Sequence, residues 1–407
     1  MSASPPPVPT PQLGSREGWF EALRPFAYLN HAAVSPHSAP LRAAVTRCMD
    51  AYASEGIGGF GGTLARRTAL RGRLAALLDA GADEVAFVPN TTTGVISVAQ
   101  SIAWKPGDRV VLFRGEFPAN TTPWQQAALQ YGLRLEWLDL ADFDASNEAG
   151  LAALDEALRV GVRLVAVSAV QFKSGLQMPL AEMARRCHER GAELFVDAIQ
   201  GFGATPISTT MGFDYLAAGG HKWLMGVEGA GLLYVRRERM SQLLPRLAGW
   251  LGHEHAFDFL VRGPGHLRYD AAFRRDAEVF EPGTQNVLGY EALGVGIIPA
   301  ETLGVAAIHA HVNAYLDALE RGLLALGFRS LRAPEAARRS TILSVETPAG
   351  LDPVRLHGEL SARSVVCGLP DGVLRFSPHF YNHVSEVQGV LDATHDALTH
   401  LQALPRS

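Results

Sequence analysis

The feature that most limits what this chain can fold into is an alternation running from about Glu84 to Val235. Short runs rich in apolar residues recur there: EVAFV, RVVLF, RLEWL, RLVAVSAV, ELFVDA, DYLAA and GLLYV. Amphipathic stretches such as PLAEMARRCHERG lie between several of them, and glycine, proline or polar residues punctuate most. Strands that are apolar almost throughout have no face for solvent. They predict an α/β fold with a mainly parallel sheet, covered by helices on both sides. Right-handed crossovers then align the strand C-termini along one edge, where such sheets bind ligands.

After about Asn286 the pattern changes. Long helical stretches precede the strand candidates TILSVE and VLRFS, and a last helix is expected from about Val384. This predicts a smaller α+β C-terminal domain. A chain of 407 residues also exceeds the size at which one core keeps growing. The expected organisation is a disordered Pro-rich tail over 1–17, an N-terminal arm over 18–78 contributing to the small domain, a large domain over 79–286 and the small domain over 287–407.

Composition narrows the function. Apolar residues make up 47% and charged residues 19%, enough to bury a sizeable core. A net charge of −5 gives no footprint for nucleic acid. The longest apolar windows are too short and too interrupted to span a membrane. MSASPPPVPTPQ has neither the basic nor the apolar region of a signal peptide, so a cytoplasmic location is expected. Cys48, Cys187 and Cys367 are scattered and odd in number, which argues against disulfides and against a zinc cluster.

The chemistry concentrates between ELFVDA and GGHKW. Asp197 ends an apolar strand, where a carboxylate needs a cationic or hydrogen-bonding partner. Gln200 follows with both a donor and an acceptor. Lys222 comes just past another apolar strand, after Gly219, Gly220 and His221, whose glycines suit a tight turn against a ligand. A partly desolvated lysine is more often the neutral amine, which condenses with an aldehyde. In FVPNTTTGVISVAQ a strand gives way to a polar turn and then a helix, an arrangement suited to an anion.

With GAGLLYV following them, the DAIQ and GGHKW segments resemble the class V aminotransferase family of fold-type I pyridoxal-phosphate enzymes. That group includes cysteine desulfurases and isopenicillin N epimerase-like proteins. The resemblance extends over roughly residues 26–390 and implies that Lys222 carries pyridoxal 5'-phosphate as an imine. It implies that Asp197 pairs with the ring nitrogen, Gln200 with the ring hydroxyl oxygen and His221 with the phosphate. Thr92 and the amides of Thr92 and Thr93 would bind the phosphate. In FEPGTQN, Thr284 would complete the phosphate site of a neighbouring subunit, which implies a homodimer. Phe117, in RGEFPANTTPW, stands where desulfurases carry a ring-stacking histidine; it can stack but cannot move protons. A second departure is Gly219, where the desulfurases commonly have a phosphate-binding serine.

Arg375, in VLRFSPHFYN, matches the arginine that clamps the substrate carboxylate. Asn30 and His31, in YLNHAAV, would line the substrate pocket, His31 either as an acid or base or through a structural hydrogen bond. Cys367 lies near the region of the desulfurase persulfide cysteine, but a buried small residue is the preferred reading. The expected function is an enzyme acting on an α-amino acid through an external aldimine, preferably a lyase of the C–S or other β/γ-elimination type. Aminotransfer or epimerisation is the alternative within the family. A non-catalytic module that keeps the fold is the alternative outside it.

Overall fold

The apolar runs become the strands of a single seven-stranded sheet in this computed structural model, which describes residues 8–403. In chain order they are β1 (Val85–Val88), β2 (Arg109–Arg114), β3 (Arg134–Asp139), β4 (Leu164–Ser168), β5 (Glu193–Asp197), β6 (Tyr215–Gly219) and β7 (Gly231–Val235). Across the sheet the order is β1-β7-β6-β5-β4-β2-β3. β7 runs antiparallel to both its neighbours, and the other pairings are parallel.

Both faces are covered. Val85 and Phe87 enter one core, together with Leu194 and Val196, while Ala86, Val88 and Phe195 enter the other. Helices Phe60–Leu78, Asn147–Leu158 and Leu180–Glu189 close the first face, and Thr91–Ser101 and Thr122–Tyr131 close the second. Each fully buried Val, Leu or Phe side chain contributes about 1.5–3 kcal/mol, so a strand apolar on both faces is anchored from both sides. Helix Thr91–Ser101 lies close against β6 because Gly94 has no side chain. A methyl there would come within 2.7 Å of the Ala217 Cβ.

A separate core organises the C-terminal part. Strands Arg329–Ser330, Leu343–Glu346 and Leu374–Phe376 form an antiparallel sheet packed by helices Val305–Ala325, Pro353–Ala362 and Glu386–Ala403. Residues 18–78, expected to go with this part, divide between the cores. Trp19, Phe20, Ala27, Leu29 and Leu41 enter the C-terminal core, whereas Leu70, Leu74 and Leu78 enter the core of the large sheet. Helix Val287–Gly296 also serves both cores, through Leu293 on one side and Ala292 and Val295 on the other.

Residues 1–7 of the expected disordered tail lie outside the described residues. Residues 8–17 correct that expectation. The Pro9 carbonyl accepts from the Trp19 indole at 3.1 Å, and the Gly14 amide donates to the Phe380 carbonyl at 2.7 Å. A buried indole N–H needs an acceptor, and the tail supplies it. Among the described residues no single helix is long and apolar enough to cross a membrane.

Candidate active site

The C-terminal edge of the large sheet holds a cavity of about 160 Å³. Asn90 reaches it from the turn after β1, Thr91 and Thr92 from the start of helix Thr91–Ser101, Phe117 from the loop after β2 and Ser168 from the end of β4. Asp197 and Gln200 come from β5 and its following turn, and His221 and Lys222 from the turn after β6. Parallel strands all end here, which is why residues far apart in sequence converge.

Asp197 is buried, and its Oδ1 accepts from the Ile199 amide at 3.0 Å. Its Oδ2 is buried with no hydrogen-bond partner among the described residues. A carboxylate oxygen left open in a dry place is costly unless a donor arrives. Burial raises the Asp197 pKa, the neighbouring Glu116 raises it further, and the Ile199 amide and the Lys222 charge oppose the rise. Burial lowers the Lys222 pKa against the pull of Asp197, and Arg375 adds to the lowering. Lys222 is thus richer in neutral amine than an exposed lysine, the form that attacks a carbonyl carbon.

Around this pair the predicted residues fall into two groups. Thr92, Phe117, Gln200 and His221 line the cavity with Asp197 and Lys222. The Lys222 Nζ lies 5.9 Å from the Phe117 ring centroid, and that ring meets Phe172 edge-on at 5.4 Å. Gln200 is held by two bonds: its Nε2 donates to the Ala32 carbonyl at 3.0 Å and its Oε1 accepts from the Trp223 indole at 3.2 Å. One amide hydrogen of Gln200 remains for a ligand. His221 is held toward its neutral form by burial and then by Lys222.

The structure does not bring the rest into this cavity. The Thr93 amide donates to the Asn90 Oδ1 at 2.8 Å, capping its helix, so that amide is not free for an anion. Thr284 is exposed on the loop before helix Val287–Gly296, outside the cavity lining. His31 is fully buried, with Nε2 and the Tyr381 hydroxyl 2.8 Å apart. Burial and His379 hold its pKa well below the usual histidine value, so near neutrality His31 is uncharged.

Arg375 sits beside the cavity. Its Nη1 donates to the carbonyl of Phe172, a lining residue, at 2.7 Å, while its Nε is buried without a partner among the described residues. Gly368 lets Asn30 and Arg375 approach one another: a methyl on it would lie 3.0 Å from the Asn30 Oδ1 and 3.3 Å from the Arg375 Nε. Burial lowers the Arg375 pKa to about 10, which still leaves the group charged and in want of an anion near neutral pH. Arg375→Lys is expected to raise KM for an amino-acid substrate by about 10–100-fold, because a point charge cannot replace the planar fork. Steady-state kinetics with unchanged KM would contradict it.

Cys367 lies next to Gly368 and is buried, and burial pushes its thiol up to about 12. Sequence reasoning passed over Glu116, Ser168 and Phe172. Glu116, acidic and just past an apolar strand, was the one with a readable signal; Phe172 had none.

Over residues 28–390 the sequence matches the family model described as aminotransferase class V. The chain belongs to that family. A probable cysteine desulfurase of Pseudomonas aeruginosa is 34% identical to this class V aminotransferase family member over 340 residues, which cover 79% of this chain and 80% of that one. An uncharacterised aminotransferase of Bacillus subtilis is 28% identical over 79% of this chain and 81% of its own. Among solved structures, the apo cysteine desulfurase of Thermococcus onnurineus superposes with a TM-score of 0.79 at 25% identity, covering 93% of this chain and 95% of that one. Class V aminotransferases depend on pyridoxal 5'-phosphate. The residues present fit that group: Asp197 offers an open buried oxygen to a protonated ring nitrogen, and Lys222 is an amine poised for an aldehyde. The family and fold thus make this an enzyme of pyridoxal-phosphate chemistry, acting on an amino acid as a lyase or an aminotransferase.

Proposed function

We propose that this enzyme is a lyase that removes a sulfur substituent from a cysteine-like α-amino acid. The observation that carries the reading is the grouping of Lys222 and the open Asp197 oxygen at the edge of the large sheet, with the Arg375 guanidinium beside them, its Nε without a partner among the described residues. When bound, pyridoxal phosphate supplies an electron sink for charge developing at the substrate α-carbon. Arg375, with Asn30 beside it, binds the substrate carboxylate and fixes the α-carbon. Lys222 holds the cofactor and takes the α-proton. Asp197 holds the ring-nitrogen proton, and Gln200 donates its remaining amide hydrogen to the ring oxygen. Thr92 and His221 would hold the phosphate, and Phe117 would face the ring.

Sulfur as the leaving atom is supported by the relatives named as cysteine desulfurases. Cys367 takes no part in this reading. A thiolate is the form that attacks sulfur, and a buried thiol raised to about 12 supplies almost none near neutral pH. The sulfur product therefore leaves free instead of being carried on the protein. Assembly as a homodimer, with Thr284 completing the phosphate site across the interface, is part of the same proposal and is supported by its exposure outside its own cavity. The free buried cysteines suit a reducing, cytoplasmic setting.

The test is a panel of cysteine, cystine, S-alkyl cysteines and other amino acids, read by cofactor spectrum and product. Keto acid and ammonia, without conversion of the cofactor to its amine form, are expected from the sulfur compounds. Conversion to that form would establish the aminotransferase reading, which the Bacillus subtilis relative favours by name. Cys367→Ala is expected to keep its rate of sulfur release within about twofold, because only a group that interacts more strongly in the transition state changes the rate. Loss of sulfur release with cofactor still bound would overturn the free-product reading.

A further inference from the structure

Glu116 follows β2 and is buried at the same sheet edge, yet the roles above do not use it. Its carboxylate accepts from the Ser168 amide at 2.6 Å and the Gln171 side chain at 3.1 Å, and it also meets the Ser168 hydroxyl. Ser168 ends β4, and its register partner on β5 is Asp197. Two buried carboxyl groups therefore flank one serine.

Their surroundings differ. Glu116 has donors on both oxygens, whereas Asp197 has one amide and an open oxygen. Donors favour an ionised carboxylate and their absence favours a protonated one. Burial raises the Glu116 pKa too, but the Ser168, Gln171 and Asn120 donors oppose the rise, whereas Asp197 has only the Ile199 amide and the Lys222 charge against it, so the charge of the pair rests on Glu116 and the proton on the Asp197 side. Lys222 is the cation facing Asp197; Arg375 bears on Lys222, and Lys222 on His221.

We propose that Glu116 is a positioning residue, a fixed anion behind Asp197 that raises the proton affinity of the unit formed by Asp197 and the cofactor's ring nitrogen. The proposal rests on Asp197 being the partner of that nitrogen. A ring that keeps its proton remains the stronger sink, so Glu116 acts on the reaction through Asp197 without touching substrate.

The test uses holoenzyme reconstituted with pyridoxal phosphate labelled with ¹⁵N in the ring, whose chemical shift reports ring protonation against pH. In Glu116→Gln, a replacement of the same shape, the ring is expected to lose its proton about one pH unit lower than in the wild type, the shift typical of removing one nearby like charge. kcat should fall while KM for the amino acid holds. Ser168→Ala keeps the carboxylate but removes a donor, and it is expected to shift the titration in the same direction by less. It also serves if the glutamine variant misfolds. An unchanged titration in either variant, with Asp197→Asn displaced, overturns the role of Glu116 alone. A titration unchanged in Asp197→Asn as well removes the Asp197 assignment beneath it.

Discussion

Lys222→Ala is expected to lower kcat by about 10³-fold or more, since it removes the covalent anchor and the group that moves the α-proton at once. The chain should still fold, because Lys222 is not part of any of the three cores. It should also still bind pyridoxal phosphate through the remaining cradle. Borohydride treatment separates this from a general loss of structure. In the wild type it should fix the cofactor on the peptide containing Lys222; in the variant it should fix nothing there. A variant that retains turnover, or a wild type whose label falls on another lysine, would refute the assignment.

The second large effect is expected at Asp197, and it has opposite signs for activity and for stability. Asp197→Asn should reduce kcat by roughly 10²–10³-fold, because a neutral amide no longer favours a protonated ring nitrogen and the sink weakens. For the cofactor-free protein the logic reverses. Burial raises the folded-state pKa of Asp197 above its value in the unfolded chain. Between those two values the folded state binds more protons than the unfolded state, so the stability contribution is lost as pH rises through that window. The asparagine variant has no such proton to lose. The difference in melting temperature between variant and wild type should therefore move in the variant's favour from pH 5 to pH 8, in apo samples followed by circular dichroism. Lys222, whose folded pKa is lowered, offsets part of the difference below its own titration by pairing with the Asp197 anion. A wild-type apo protein that gains stability over the variant as pH rises would show that the buried carboxylate is better compensated than its open oxygen implies.

How much was legible in advance depended on the range of the interaction involved. The sheet was readable because its signal is local. β4, β5, β6 and β7 are apolar through their middles and buried along their whole length, and only a doubly covered position accepts such a strand. The positions of Asp197 and Lys222 followed from the same reading, since strand ends in a parallel sheet share one edge. By contrast, the Thr93 amide was expected to face an anion, and it instead satisfies the Asn90 side chain one turn back. Sequence shows that a helix starts there but not which donor the cap consumes. The tail beyond residue 7 read as disordered by composition, yet the Trp19 indole recruits Pro9.

The sequence by itself determined that this chain would build a mainly parallel α/β sheet with an aspartate, a lysine and an arginine in an order that resembles that of a pyridoxal-phosphate enzyme. Those properties depend on periodicity and motif order, which are written along the chain. Only the tertiary structure decided that Glu116 and Asp197 would share Ser168 and that Asn30 and Arg375 would close around Gly368. Those depend on strand register and packing between residues distant in sequence, where a single carboxylate or arginine carries no mark of what will pack against it.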